Sequence, residues 1–311
     1  MADLILHHYP GSLFAEKIRA ILGYKGLAWH SVETSPIMPR DELMPLTGGY
    51  RRIPVLQIGA DVFCDTHAIT EALDAHAPER PLVPPALGAA ARLIAARADT
   101  HLFQVGVAIC FQPRAIAAVV AAMGEEMMAK FAADRAKLVE GSAGVSTMAP
   151  EVAEACLADE LARLDAQLAH GDWLLGTGPT LADFAVYHCL WFVAGNPVVA
   201  PLLDPWARVK AWMARIADFG HGDARGLSAE EALEIGRAAT PMAIDEAASC
   251  LPEGLALGDA VTVTPVDYGL VPVAGTLERC TEHLCAVGRD DPRAGRVRVH
   301  FPRTGFRIDA A

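Results

Sequence analysis

Two periodicities divide the chain. Leu4-Ile5-Leu6 is a short unbroken apolar run of the kind a buried strand requires, whereas Phe14, Ile18, Ile21 and Leu22 recur at the spacing of one helix face before Gly23 and Gly26. Ile53 to Ile58 and Val62-Phe63 read as strands joined by Gly59-Ala60-Asp61, and Asp65 or Thr66 then caps a helix running to about Ala75, with Ile69 and Leu73 inward. The order from Leu4 to Leu73 is thus strand, helix, strand-like stretch and a short βαβ-like return. Pro78, Pro81, Pro84 and Pro85 follow; proline removes donors and disfavours helix on its N-terminal side, so a boundary falls between 80 and 88.

Beyond that boundary the pattern is helical. Ala90 to Met128 and Val152 to Ala169 are long alanine-rich stretches with helical periodicity, which predicts an all-α bundle. The character changes near 220: Gly220-His221-Gly222-Asp223 breaks the pattern and Ser228-Ala229-Glu230-Glu231 opens a helix. Four short alternating runs come after it, Val261 to Val266, Leu270 to Val273, Cys280 to Val287 and Arg296 to Phe301. The expected architecture is an α/β domain over 1–80, a helical bundle over 88–220 and a small β-rich extension, open sheet or barrel, over 221–311.

Composition narrows the class of protein. At 311 residues the chain has room for two or three domains at about 150 residues each, and 52% hydrophobic with 21% charged residues is ordinary globular composition. A net charge of -12 and a pI near 5.3 argue against nucleic acid as a partner, since phosphate backbones are bound by a large Lys/Arg surface. The seven cysteines are odd in number and scattered, and read as reduced. The start lacks the basic and apolar regions of a signal peptide, and no segment has about 18 consecutive apolar residues; a cytoplasmic protein without membrane contact is expected.

The segment Leu46-Thr47-Gly48-Gly49-Tyr50-Arg51-Arg52-Ile53-Pro54-Val55-Leu56, with Cys64-Asp65-Thr66-His67-Ala68-Ile69 after it, resembles the glutathione site of the glutathione transferase family. The resemblance spans about residues 3 to 217 and implies a thioredoxin-like N-terminal domain and an all-helical second domain. It implies a cis Ile53-Pro54 bond that presents Val55 for strand-like pairing with the tripeptide. Asp65 and Thr66 stand where the family has an acid or amide followed by serine: Asp65 would face the ligand's amino group and Thr66 would donate to its γ-glutamyl carboxylate, aided by the positive end of the helix. Arg51 and Arg52 would meet the glycine carboxylate.

The turn Tyr9-Pro10-Gly11-Ser12-Leu13-Phe14-Ala15-Glu16-Lys17 aligns with the loop where this family places a Ser, Cys or Tyr against the glutathione sulfur. Ser12, five residues before Lys17, is the expected catalytic hydroxyl, because a donor at a helix N-terminus favours thiolate over thiol. Leu13 replaces the proline of many relatives, and Tyr9 is the second candidate. Phe14, Met38, His101, Phe103, Cys110 and Phe111 are candidates for an apolar co-substrate pocket, although such residues at helical spacing are as often core. A second match, Gly171 to Gly176 with Pro179-Thr180-Leu181-Ala182-Asp183-Phe184, concerns folding: Thr180 and Asp183 have the spacing of a capping box.

The implied activity is attack of glutathione thiolate on small apolar electrophiles, of the detoxification type, by a homodimer with glutathione as substrate and no metal. Cys280, His283 and Cys285 lack a fourth zinc ligand, and in one alternating strand the two cysteines face opposite sides. A glutathione-dependent isomerase, lyase or dehalogenase on the same scaffold, and a non-catalytic interaction module, are the alternatives.

Overall fold

The computed structural model describes residues 3–244 and 250–311; Met1 and Ala2, at the start of the segment read for a targeting signal, and residues 245–249 of the extension lie outside them. The first unit runs β1 (Leu4–His8), α1 (Leu13–Lys25), β2 (Ala28–Glu33), α2 (Leu43–Thr47), β3 (Val55–Ile58), β4 (Asp61–Cys64) and α3 (Thr66–His76). β1 pairs parallel with β2 and antiparallel with β3, and β3 pairs antiparallel with β4. β1 is buried throughout because helices cover both faces. Leu4 and Leu6 point into the large core shared with α1 and α3, while Ile5 points the other way, onto Ala232.

The bundle comprises α4 (Gly88–Arg97), a π-helical turn Ala98–Leu102, α5 (Phe103–Cys110), α6 (Pro113–Met123), α7 (Glu125–Leu138), α8 (Pro150–Gln167), α9 (Leu181–Ala194) and α10 (Ala207–Ala217). α9 is apolar nearly all round and forms the buried axle, against which α1, α4 and α5 pack. Its capping box forms as the spacing predicts, and buried Asp183 also accepts from Leu174 N and Trp212 Nε1. The run Gly88–Cys110 reaches the length and apolarity of a bilayer span, yet Ala91, Ala95, Ala98, Leu102 and Val105 are buried in the bundle.

The extension is built into the first sheet. β5 (Asp223–Gly226) adds parallel to β2, α11 (Ala229–Ala238) lies on the Ile5 and Val32 face, and β6 (Ala260–Pro265), β7 (Val273–Cys280), β8 (Leu284–Asp291), β9 (Gly295–Pro302) and β10 (Phe306–Ala310) follow. β9 pairs parallel with β4, giving one ten-stranded sheet of order β10-β6-β7-β8-β9-β4-β3-β1-β2-β5. At about 4.8 Å per strand, β9 and β10 would stand about 19 Å apart in a flat sheet. The rings of Phe301 and Phe306 are 5.3 Å apart, so the five strands curl barrel-like around a core that also takes in Tyr50, Val55, Val62 and Cys64.

Two close backbone approaches allow this fusion. A Cβ on Gly23 would lie 2.0 Å from the carbonyl oxygen of Gly220, and one on Gly222, at φ 73, would lie 2.4 Å from that of Leu27. The contact delivers the His221 carbonyl to Trp29 Nε1 at 2.7 Å and starts β5 in register. At the other edge, buried Asp61 accepts from His300 Nε2 at 2.7 Å and Met242 N at 2.6 Å, while the His300 ring stacks on Phe63.

Two local expectations change. Leu270 to Val273 is loop up to Val273, where β7 begins, and Leu270 and Val271 are exposed there. Cys280 to Val287 is not one strand but the end of β7, a turn and the start of β8, so Cys280 and Cys285 are cross-strand partners in one core rather than on opposite sides. A bulge between Leu277 and Arg279 disturbs the alternation that would have revealed it.

Adjacent imidazoles on β1 make stability pH-dependent. Gln57 Nε2 donates to the carbonyls of Gly59 and Ala232, so its Oε1 must accept from His7 Nε2; Arg19 Nη1 can only donate, so His8 Nδ1 must accept. His8 is therefore neutral, while the donor bond of His7 suits either form and its complete burial favours the neutral one. Burial lowers His7 and, with the Arg19 charge, His8 from 6.5 to about 4. Between those values the unfolded chain binds more protons than the folded one, so stability is full above pH 6.5 and falls on acidification towards pH 4, by about 3 kcal/mol for His7. His188 and His300 are shifted the same way and His67 the opposite way. Urea midpoints at pH 7 and pH 5 check this; an unchanged midpoint would sink it.

Candidate functional site

The β1–α1 loop is held from the helix that follows it. Ser12 caps α1, its Oγ accepting from Ala15 N at 3.2 Å, and its own N–H donates to the Tyr9 carbonyl at 3.1 Å. Arg19 fixes the same loop, donating from Nη2 to the Pro10 carbonyl at 3.0 Å while Nε and Nη2 grip Glu16 at 3.0 and 2.8 Å. Burial would raise Glu16, but hydrogen bonding from His221 and the Arg19 charge hold it below the ordinary carboxylate range. Ser12 is buried and Tyr9 half-buried.

The amino end of α3 forms the opposing wall. Asp65 caps it, Oδ1 accepting from His67 N at 3.0 Å, and adopts φ 77. A non-glycine residue there costs about 1–3 kcal/mol, which local contacts must offset. Thr66 Oγ1 accepts from Lys17 Nζ at 3.3 Å. An ammonium only donates, so the Thr66 hydroxyl hydrogen is left to donate elsewhere.

Behind this wall lies a charge cluster that the sequence reading did not find. Asp99, in the π-helical turn, accepts from Lys17 Nζ at 2.6 Å, His67 Nε2 at 3.1 Å and His188 Nε2 at 2.9 Å. Burial alone would raise Asp99, but the Lys17 charge and the two imidazole hydrogen bonds hold it well below the carboxylate range. Burial opposes protonation of His67, and the hydrogen bond to Asp99 with the Asp65 charge outweighs it, so His67 is raised; His188, wholly buried, is lowered. The available signal was polar residues inside apolar helical runs: Asp99 within Leu93-Ile94-Ala95-Ala96-Arg97-Ala98-Asp99 and His188 within α9.

A cavity of about 180 Å³ opens against the α3 amino end, with Phe14 of α1 in its lining but no residue of the Tyr9–Ser12 loop. Of the residues singled out in the sequence, Arg52, Ile53, Pro54, Asp65 and Thr66 line it, as does Phe14, and the Ile53-Pro54 bond is cis. Val55 sits behind Pro54 as the first residue of β3, and Ser12 and Tyr9 lie outside the lining. Met38, His101, Phe103 and Phe111 are not in the wall either: Phe103 packs edge-on against Phe14 at 4.9 Å and Phe111 stacks on Phe131 at 6.3 Å. The extension closes the far side with Asp267, Tyr268, Thr304, Gly305 and Phe306. Arg52 reaches across to it, gripping the Asp267 carboxylate and the Tyr268 carbonyl.

A thioredoxin-like unit with a cis-proline strand beside a helix amino end, joined to a helical bundle, defines a protein of the glutathione transferase type. The sequence profiles agree: "Glutathione S-transferase, N-terminal domain" matches residues 6–81 and "Glutathione S-transferase, C-terminal domain" residues 115–215. A GST-like protein from Pseudomonas syringae is 38% identical over 100% of both chains, with a TM-score of 0.83, so it shares the extension as well. The chain belongs to the glutathione transferase family. A glutathione S-transferase from Rhodospirillum rubrum is 19% identical, covering 69% of this chain and 87% of its own, with a TM-score of 0.53. A rice enzyme solved in complex with glutathione is 22% identical, covering 70% and 88%, with a TM-score of 0.50. These two share the fold of the first two units. No match was found among curated protein sequences.

Proposed function

We propose that the protein is a glutathione transferase that binds the tripeptide in the cavity between Pro54 and the α3 amino end and directs its thiolate at small apolar electrophiles. The observation that carries this reading is the pairing of Asp65 with a Thr66 hydroxyl whose hydrogen is released by Lys17, at a helix end suited to a γ-glutamyl group. Ser12 is the proposed sulfur partner: its oxygen accepts from Ala15 N, and its hydrogen stays available for donation. The same bound thiolate serves conjugation, isomerisation and dehalogenation, which product analysis separates. Family resemblance supports a homodimer.

Millimolar glutathione is expected to raise the melting temperature, since a ligand at 100 times its Kd adds about 2.7 kcal/mol. Ser12→Ala is expected to raise the pKa of the bound thiol, read as lower thiolate absorbance near neutral pH. An unchanged titration would move the role to Tyr9. No stabilisation by glutathione would remove the reading.

A further inference from the structure

The arginines that a peptide carboxylate would need are both committed within the protein. Arg51 pairs with Asp134, a carboxylate that also accepts from Met38 N at 3.2 Å and Arg135 Nη1 at 2.9 Å. Arg52 is held by both oxygens of Asp267 and by the Tyr268 carbonyl, and its guanidinium carbon lies 4.0 Å from the Tyr268 ring centroid. The loop carrying Asp267 is fixed at both ends: Val266 N donates to the Gly305 carbonyl at 3.0 Å and Gly269 N to the Leu138 carbonyl at 2.7 Å. Gly269, at φ 60, is packed closely enough that a Cβ would meet Leu138 Cδ1 at 3.0 Å. Asp267 is therefore a positioned carboxylate in the cavity wall, already occupying the fork that a ligand carboxylate would use.

Charge matching across the cavity gives the consequence. Asp65 is suited to a ligand ammonium and the α3 amino end to a carboxylate, while Lys17 and Asp99 neutralise one another. At the extension side Arg52 and Asp267 cancel, and the remaining wall is Tyr268, Thr304, Gly305 and Phe306, which carry no charge. The pair is asymmetric, with the Asp267 side chain 53% exposed and that of Arg52 12%. A free carboxylate arriving there finds Arg52 already engaged and meets the exposed Asp267 oxygens, whereas a neutral amide or ester meets no like charge.

We infer that Asp267 is a specificity-determining residue that makes this site favour γ-glutamyl thiols whose far end is neutral, an amide or ester, over those ending in a free carboxylate. This rests on the glutathione reading above. Discrimination of this kind comes from a repulsive element against the disfavoured ligand as well as from contacts to the favoured one.

The test is titration calorimetry of the full chain with glutathione and with its glycyl monoethyl ester, on wild type, Asp267→Asn, Asp267→Ala and Asp267→Glu. The ratio of the acid's Kd to the ester's is expected to exceed one in wild type and Asp267→Glu. It is expected to fall below one in Asp267→Asn and Asp267→Ala, through tightening of glutathione by about tenfold. The Asp267 side chain is half exposed, so folding of these variants is expected to be intact, with melting temperatures as the check. A wild-type ratio below one, or a ratio that stays above one without the carboxylate, overturns the inference while leaving the glutathione site standing. If neither ligand binds any of the proteins, the glutathione reading itself falls and takes this inference with it.

Discussion

Truncation after Gly220 is expected to give insoluble protein rather than a smaller transferase, although both family profiles end before that residue. Removing β9 turns β4 into an open edge, and removing β5 does the same to β2. Unpaired edges are templates for aggregation. Asp61 loses His300, Arg298 and the Met242 amide together, leaving a carboxylate that the intact chain buries completely. Tyr50, Val55, Val62 and Cys64 lose the curled half-barrel that covers them, and Ile5 and Val32 lose α11. An apolar face of that extent is not kept in water by a monomeric protein. The soluble fraction after expression is expected to drop several-fold or more. A soluble truncated chain that glutathione still stabilises would show that the first two units stand alone.

The parts legible in the sequence were those in which one short stretch contains its own reason. Leu4-Ile5-Leu6 is a strand because helices bury both faces, Thr180 and Asp183 cap α9 because they stand three positions apart, and Ile53-Pro54 with Asp65-Thr66 fixes two sides of the cavity. What stayed hidden depends on partners far away in sequence. β5 is wholly exposed and has no apolar pattern; it is a strand only because its backbone finds β2. The pairing of Asp61–Phe63 with Arg298–His300 crosses more than 230 residues, and no local periodicity encodes it. The cluster of Lys17, His67, Asp99 and His188 stays hidden for the same reason: Asp99 and His188 show only as polar residues within apolar runs, and the fold alone brings the four together.

That cluster carries the second large effect. Asp99→Ala is expected to destabilise the protein by about 3–5 kcal/mol, the usual result of stranding one partner of a buried ion pair. The Lys17 side chain is fully buried, and without Asp99 its remaining acceptor is the Thr66 hydroxyl at 3.3 Å. His188, also buried, loses its carboxylate partner at Nε2, and His67 loses the hydrogen bond that helps to raise it. Function should suffer with stability: Lys17 moves towards Thr66 or towards solvent, and either shift redirects the hydroxyl proposed to meet the γ-glutamyl carboxylate. Glutathione affinity is accordingly expected to fall in Asp99→Ala even at temperatures where the variant is folded. A charge-free pair, Lys17→Met with Asp99→Leu, is expected to recover most of the stability, because removing both charges leaves no uncompensated ion, but not the affinity. Denaturant midpoints of wild type, Asp99→Ala, Lys17→Met, Asp99→Leu and the double variant, with calorimetric titration of glutathione, separate the two roles. A double variant no more stable than Asp99→Ala would mean that packing around the π-helical turn, and not the stranded charge, sets the loss.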